Sequence, residues 1–141
     1  MDLTYLITPF FAWFFSGFVK FIIFSIRTRS LAFHLMGNGG LPSTHTTVVI
    51  TMTTLVALRE GVGSAVFGVA LTFAFIVMLD ANSLRRHVGK QAAALNRLIG
   101  KDSNTRPLRE RMGHSRREIF AGILLGMFLG YIIFKASPAI I

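Results

Sequence analysis

Four stretches of the chain are strongly apolar, and polar or basic residues separate them. The first runs from Leu3 to Ile26 and is long enough to cross a bilayer core of about 30 Å. Similar helices are predicted for Thr44 to Leu58, Val62 to Leu79 and Ser115 to Phe134. The pattern therefore predicts an all-α integral membrane helical bundle with about four transmembrane helices.

A fifth helix is predicted between residues 84 and 99, where apolar residues recur at helical spacing and basic residues fall on the other side. This arrangement is typical of an amphipathic helix lying along a membrane surface. The apolar face consists of Leu84, Val88, Ala92, Leu95 and Ile99, and the basic face of Arg85, Arg86, Lys90 and Arg97. With 141 residues, the chain is interpreted as a single membrane-embedded domain, 1–141.

Small residues recur every four positions in two of the predicted membrane helices. The last helix carries Gly122, Gly126 and Gly130, which we call the glycine stripe. The third helix and its approach carry Gly61, Ser64, Ala65 and Gly68. Such spacing lets helices approach closely, so each face could pack within the chain or form a homodimer. The sequence leaves both arrangements open.

Charge and composition narrow the classes of partner. The net charge is +9 and the chain has no cysteine, which excludes disulfides and thiolate sites. A basic excess suits anionic lipid, a phosphate-bearing substrate or nucleic acid. Because the aromatic residues lie in the apolar runs and not among the basic ones, nucleic acid is not an expected partner.

The basic residues are concentrated on one side of the predicted bundle. With four crossings, the connector 27–43 and the segment 80–117 share that side, whereas Arg59 and Lys135 lie on the other. The positive-inside rule places the basic side in the cytoplasm, which predicts a multi-pass protein of the inner (plasma) membrane. A basic phosphate site would bias this count in the same direction.

A glycine-rich turn leads into the second predicted helix and contains Gly39-Gly40-Leu41-Pro42-Ser43-Thr44-His45. A turn of this kind directs backbone N–H groups and the positive end of the helix dipole at one spot, which suits an anion. His45 stands beside that spot as a candidate proton donor. A plain loop with a Ser or Thr helix cap explains the same residues without a ligand.

Further polar residues are expected on the same side, at the ends of the other helices: Lys20, Arg27, Asp80, Arg85, His114 and Glu118. His114 and Glu118 are four residues apart and share a helix face, so the carboxylate can hold one imidazole nitrogen and leave the other free to attack. Two histidines with several cations suit phosphoryl transfer through a phosphohistidine, with no metal or cofactor required. Alternatively, Glu118 only complements the helix dipole, and the basic residues only contact lipid headgroups.

Three stretches together resemble a known family: Gly39 to His45, Asp80 to Asn96, and Gly113 to Gly122. They are similar to the divergent branch of the type 2 phosphatidic acid phosphatase superfamily, which includes lipid phosphate phosphatases and the vanadium haloperoxidases. The resemblance extends from about Lys20 to Gly130. The superfamily's usual core has more helices than this chain supplies, which implies either a reduced fold or completion by a partner subunit.

The resemblance implies a role for each matching residue. His114 matches the nucleophile, Glu118 the carboxylate that orients it, and His45 the general acid. The superfamily's arginine, six residues before the nucleophile, is replaced by Leu108, and the proline that follows Arg27's counterpart is replaced by Thr28. The candidate phosphate ligands are Lys20, Arg27, Gly40, Ser43, Thr44 and, in place of the missing arginine, Arg85, with Arg109 as the second choice. The supporting candidates are Asp80, Lys90 and Arg109.

These observations predict a membrane lipid phosphatase that cleaves a lipid phosphomonoester or diphosphate. By analogy the substrate is a phosphatidylglycerophosphate, a phosphatidate or an isoprenoid diphosphate. The alternative is a membrane protein that binds or translocates a lipid phosphate without catalysis. A third interpretation, a packing protein built on glycine faces, leaves Lys20, His45 and His114 unexplained. His34 and His87 match no motif and are interpreted as loop or surface residues.

Overall fold

The computed structural model describes residues 3–29, 40–99, 106–110 and 112–137. Within these ranges the regular structure is entirely helical, which confirms the prediction of an all-α membrane bundle. The helices are α1 (Thr4–Thr28), α2 (Thr44–Glu60), α3 (Ala65–Asn82), α4 (Leu84–Ile99) and α5 (Arg116–Ala136).

Three stretches are long and apolar enough to cross a membrane: α1, the run Ala65–Ile99 that contains α3, and α5. Helix α2 has 17 residues, or about 26 Å, and nevertheless reaches both ends of the bundle. At its start Ser16 Oγ donates to Thr44 Oγ1 at 3.3 Å, and at its end Arg59 Nη2 donates to Ser137 Oγ at 3.1 Å. Because its start lies beside the first turn of α5 and its end beside the last, α2 is the fourth helix of the bundle, and α1 extends past the start of α2 by about three turns.

The glycine stripe of α5 packs directly on α2. A Cβ atom added at Gly126 would lie 2.8 Å from Ile50 Cβ and 2.9 Å from the Thr47 carbonyl oxygen. Gly122 and Gly130 meet the preceding and following turns of α2 at similar distances. The two helices therefore run parallel, with their backbones as close as glycine allows.

The threonines of α2 make this contact possible because their hydroxyls are satisfied within the helix. Thr47 Oγ1 donates to the Ser43 carbonyl at 3.0 Å, and Thr51 Oγ1 donates to the Thr47 carbonyl at 2.7 Å. Both side chains are fully buried. A buried hydroxyl without a partner would cost free energy, whereas these present only methyl groups and satisfied oxygens to α5.

The glycines at the start of α3 and before it, unlike the glycine stripe of α5, are not packed against another helix in the described part of the chain. Nothing within the described part of the chain lies within 4 Å of a Cβ added at Gly61 or Gly68. The glycine stripe of α5 is thus used within the chain, and this part of α3 is open. A homodimer through glycine-rich faces stays a prediction, and the surface available for it is the one that contains Gly61 and Gly68.

The C-terminal end of α2 differs from the sequence-based expectation. Arg59 and Glu60, expected in a turn, belong to α2, and the turn begins at Gly61 with φ +81°. The last turn of α2 is held because Arg59 reaches Ser137 and Glu60 accepts from the Tyr5 hydroxyl. These contacts with the ends of α1 and α5 are tertiary, so local sequence does not reveal them.

We expect Gly126→Val to lower the free energy of unfolding by about 1–3 kcal/mol, because the added atoms overlap Ile50 and the Thr47 carbonyl. Gly68→Val is the matched control, since it makes the same change in α3 where the surrounding space is open. Denaturant unfolding in detergent micelles measures both. Equal effects of the two substitutions would contradict the proposed packing.

Candidate active site

His114 is held by the carboxylate of Glu118 at the start of α5. His114 Nδ1 lies 2.9 Å from Glu118 Oε2, and the same oxygen accepts the Ser115 backbone N–H at 3.1 Å. Ser115 Oγ in turn accepts the Glu118 N–H, which completes a capping box. With Nδ1 donating to the carboxylate, the lone pair of the neutral imidazole lies on Nε2.

The backbone of His114 is fixed against the junction of α3 and α4. Its N–H donates at 3.0 Å to the Ala81 carbonyl, close to Ser83, the single residue between the two helices. Gly113 has φ +92°, and a Cβ there would lie 2.8 Å from Arg86 Cγ. Glycine therefore permits both the left-handed backbone and the close approach of α5 to α4.

Ser43 connects the start of α2 to the first turn of α5. Its N–H donates to the Glu118 carbonyl at 3.0 Å, and its Oγ accepts from Thr46 Oγ1 at 2.9 Å. This connection brings His45 beside His114, with ring centroids 6.5 Å apart and planes inclined at 55°. We call the space between these two rings the histidine gap.

His45 forms the outer half of the histidine gap together with Arg85 and Asp80. Arg85 Nη2 lies 3.2 Å from His45 Nε2, and Arg85 Nε lies 3.5 Å from Asp80 Oδ2. Because a guanidinium only donates, His45 Nε2 accepts and its ring carries a proton on Nδ1. His45 is exposed, whereas His114 is only 7% exposed, so the histidine gap has one open side and one buried side.

Lys20 supplies a buried positive charge near the histidine gap. It lies one helical turn past Ser16, the residue level with the start of α2, and is only 5% exposed. Its ammonium interacts electrostatically with Glu118 and with His45. Lys20 therefore lies near the histidine end of α1, and its charge faces the protein interior and not the lipid.

The structure does not bring every predicted ligand to the histidine gap. Ser43 is fully buried and its hydroxyl caps α2, and Thr44 Oγ1 accepts from Ser16. Arg27 is exposed two turns beyond Lys20, and Gly40 packs against the Phe24 ring. Roles for these residues, and for the exposed Lys90 and Arg109, stay predictions. His87 lies exposed on α4, and Gly39 and His34 lie outside the described residues.

Asn96 is a structural residue that the sequence reasoning missed. Its side chain accepts from the Leu108 N–H and donates to the Leu108 carbonyl, both at 2.8 Å, and it also donates to Glu110 Oε1 at 2.9 Å. Gly89 leaves room for this segment, since a Cβ there would overlap the Glu110 carbonyl. The segment 106–110 is thereby fixed along α4.

The contacts of Asn96 place residue 108 away from the histidine gap. Asn96 lies eleven residues after Arg85 on α4, which is about 16 Å along the helix axis. Leu108 is held beside Asn96, so a side chain at that position starts far from the histidines. Arg85 occupies the place next to His45 instead.

Comparisons with known proteins agree with this architecture. Residues 1–129 match the family described as "Divergent PAP2 family". One relative, "Uncharacterized membrane protein YuiD" of Bacillus subtilis (strain 168), is 35% identical, with 84% of this chain and 86% of the relative covered. No solved structure matches the chain. The family match confirms the resemblance drawn from the three sequence motifs.

If the histidine gap holds a phosphate, Arg85→Gln should weaken the binding of inorganic phosphate by about 10-fold or more, because a charge-assisted hydrogen bond is lost. Arg97→Gln removes the same charge from the exposed part of α4 and should leave binding unchanged. Isothermal titration calorimetry in detergent micelles measures both variants. Equal weakening would indicate only the general attraction of a basic surface.

Proposed function

The chain belongs to the divergent PAP2 family, and we propose that it is a membrane lipid phosphatase that works through a phosphohistidine at His114. The observation that carries the proposal is the pairing of His114, fixed by Glu118, with His45 across 6.5 Å. One imidazole is oriented by a carboxylate and buried, and the other is open. Two imidazoles in such different surroundings suit the separate roles of nucleophile and proton donor.

In the first step, Nε2 of His114 attacks the phosphorus of the bound ester. The new P–N bond forms as the bond from phosphorus to the lipid oxygen breaks, and His45 gives that oxygen a proton. Attack needs an approach of about 3 Å, and proton transfer needs a hydrogen bond of about 3 Å on the opposite side of phosphorus. An in-line arrangement with both approaches separates the two ring nitrogens by about 7 Å, so the rings, whose centroids lie 6.5 Å apart, must move apart when a phosphoryl group enters.

Lys20 and Arg85 would stabilise the charge on the phosphoryl oxygens. Both lie close to the histidines, and Lys20 is buried, where a fixed charge acts more strongly than in water. A phosphate dianion in the histidine gap would draw the Arg85 guanidinium away from His45 Nε2. The same dianion favours the protonated form of His45, which is the form that the first step requires.

In the second step, water replaces the lipid oxygen. His45, now unprotonated, takes a proton from the water as its oxygen attacks phosphorus. The P–N bond breaks, its electron pair returns to His114 Nε2, and inorganic phosphate leaves. Glu118 stabilises the positive charge that His114 carries while it is phosphorylated, because its carboxylate accepts the Nδ1 proton throughout.

The substrate proposed is a lipid phosphomonoester or diphosphate of the phosphatidylglycerophosphate, phosphatidate or isoprenoid diphosphate class. The histidine gap lies at the end of the bundle that carries Arg85, Arg86 and Lys90, which suits an anionic headgroup. The positive-inside rule supports a cytoplasmic orientation of this end in the plasma membrane. A protein that binds or translocates the lipid phosphate would bind the same ligands without releasing phosphate.

The two histidine roles predict different effects on two substrates. His114→Asn should abolish phosphate release from both phosphatidate and p-nitrophenyl phosphate, because the nucleophile is lost. His45→Asn should slow phosphatidate cleavage by about 10²–10⁴-fold, since an alkoxide needs a proton to leave. p-Nitrophenolate needs none, so His45→Asn should give one stoichiometric burst of it, followed by slow turnover.

Stopped-flow absorbance and phosphate release measure these outcomes in detergent micelles, with circular dichroism as the check on folding. His87→Asn is the control, because His87 is exposed on α4 and outside the histidine gap. Full activity of folded His114→Asn would contradict the mechanism. Tight lipid phosphate binding by the wild-type protein, with no phosphate released from any substrate, would favour the non-catalytic alternative.

A further inference from the structure

We propose that an apolar groove between α1, α2 and α3 holds one hydrocarbon chain of the lipid whose phosphate occupies the histidine gap. The inference rests on the proposed function and extends it by assigning a place to the lipid tail. The groove has a volume of about 630 Å³ and includes Phe10 and Trp13 of α1, His45 and Val48 of α2, and Phe73 of α3.

The apolar groove begins at His45, one of the two residues that define the histidine gap. His45 lines the groove and also faces His114 with its ring 6.5 Å away. Thr44, at the first turn of α2, is a second lining residue. A ligand with its phosphate between the histidines therefore has a continuous apolar surface leading away from its ester oxygen. A lipid phosphate has this combination of a charged end and an apolar chain.

The groove is open towards the bilayer. Phe10, Trp13 and Phe73 line it, yet they are 69%, 63% and 60% exposed, and they belong to helices that can cross a membrane. In a bilayer this exposed surface meets hydrocarbon and not water. A lipid can thus move sideways from the membrane into the groove without carrying its chain through water.

The geometry also sets how much of the chain is held. Ser16 of α1 is level with Thr44, and Pro9, seven residues earlier on α1, lines the other end of the groove. The groove therefore follows about 10 Å of chain below the headgroup. We infer that the groove takes one chain and that a second chain stays in the bilayer. Lysophosphatidate and phosphatidate should accordingly be used with similar kcat/KM.

The test blocks the groove with Val48→Trp and compares two phosphomonoesters, oleoyl lysophosphatidate and water-soluble butyl phosphate. The measured quantity is the ratio of their kcat/KM values. Val48→Trp should lower this ratio by about tenfold or more, because the indole ring occupies the space of the acyl chain and removes its contribution to placing the phosphate between the histidines. The matched control is Val69→Trp, which adds the same ring to α3 at a lipid-exposed position outside the groove.

The outcomes separate the groove from the catalytic proposal. If Val48→Trp cleaves both esters with the wild-type ratio of kcat/KM values, the groove does not bind the acyl chain, and the proposed phosphatase activity is unaffected. Loss of a dimer in Val48→Trp, seen by native mass spectrometry, would assign the groove to a second copy instead. If the wild-type protein cleaves neither of these esters nor an isoprenoid diphosphate, the proposed phosphatase activity is excluded, and crosslinking then tests the groove.

For crosslinking, lysophosphatidate carries a diazirine within the first part of its acyl chain. Irradiation followed by peptide mass spectrometry should label Phe10, Trp13 or Phe73, which are lining residues of the groove. Labelling confined to lipid-exposed residues outside the groove, such as Val66 or Val69, would overturn the proposal. This readout needs only binding, so it decides the question whether or not the protein is an enzyme.

Discussion

The close contact of α2 with α5 determines the arrangement of the other site elements. Glycines on α5 and internally satisfied threonines on α2 let the two backbones approach, and the Ser43 N–H to Glu118 carbonyl bond fixes their relative height. His45 and His114 each stand at the start of one of these helices. Their spacing of 6.5 Å therefore follows from backbone packing and not from long flexible side chains.

One carboxylate links the fold to the chemistry. The same oxygen of Glu118 orients His114 and caps α5, so the proposed nucleophile is held by the interaction that starts the helix. The outer half of the histidine gap is less constrained, since Arg85 and Asp80 are both partly exposed. A rigid imidazole on one side and a more adaptable cationic side on the other suit a ligand that must enter and leave.

Sequence patterns predicted the helices and the pair His114–Glu118, because both depend on residues close together in the chain. The expectation that the pair shares a helix face was wrong, since His114 precedes the N-cap Ser115 and lies outside α5. The apolar runs predicted the helical bundle, and the four-residue interval predicted the contact between His114 and Glu118. The contact of Arg85 with His45 joins residues forty positions apart, and the resemblance supported it only as a substitute for a missing arginine. The Asn96 clamp had no local signal beyond its place in a motif, since its partners lie across a loop.

The most direct test of the account is a structure of the protein with orthovanadate, a mimic of the phosphoryl group during its transfer. The account predicts vanadium bonded to His114 Nε2, with His45 on the opposite side and Arg85 donating to a vanadate oxygen. Vanadate bound elsewhere, or in the histidine gap without a bond to His114, would contradict the claim that the two histidines act on a shared phosphoryl group.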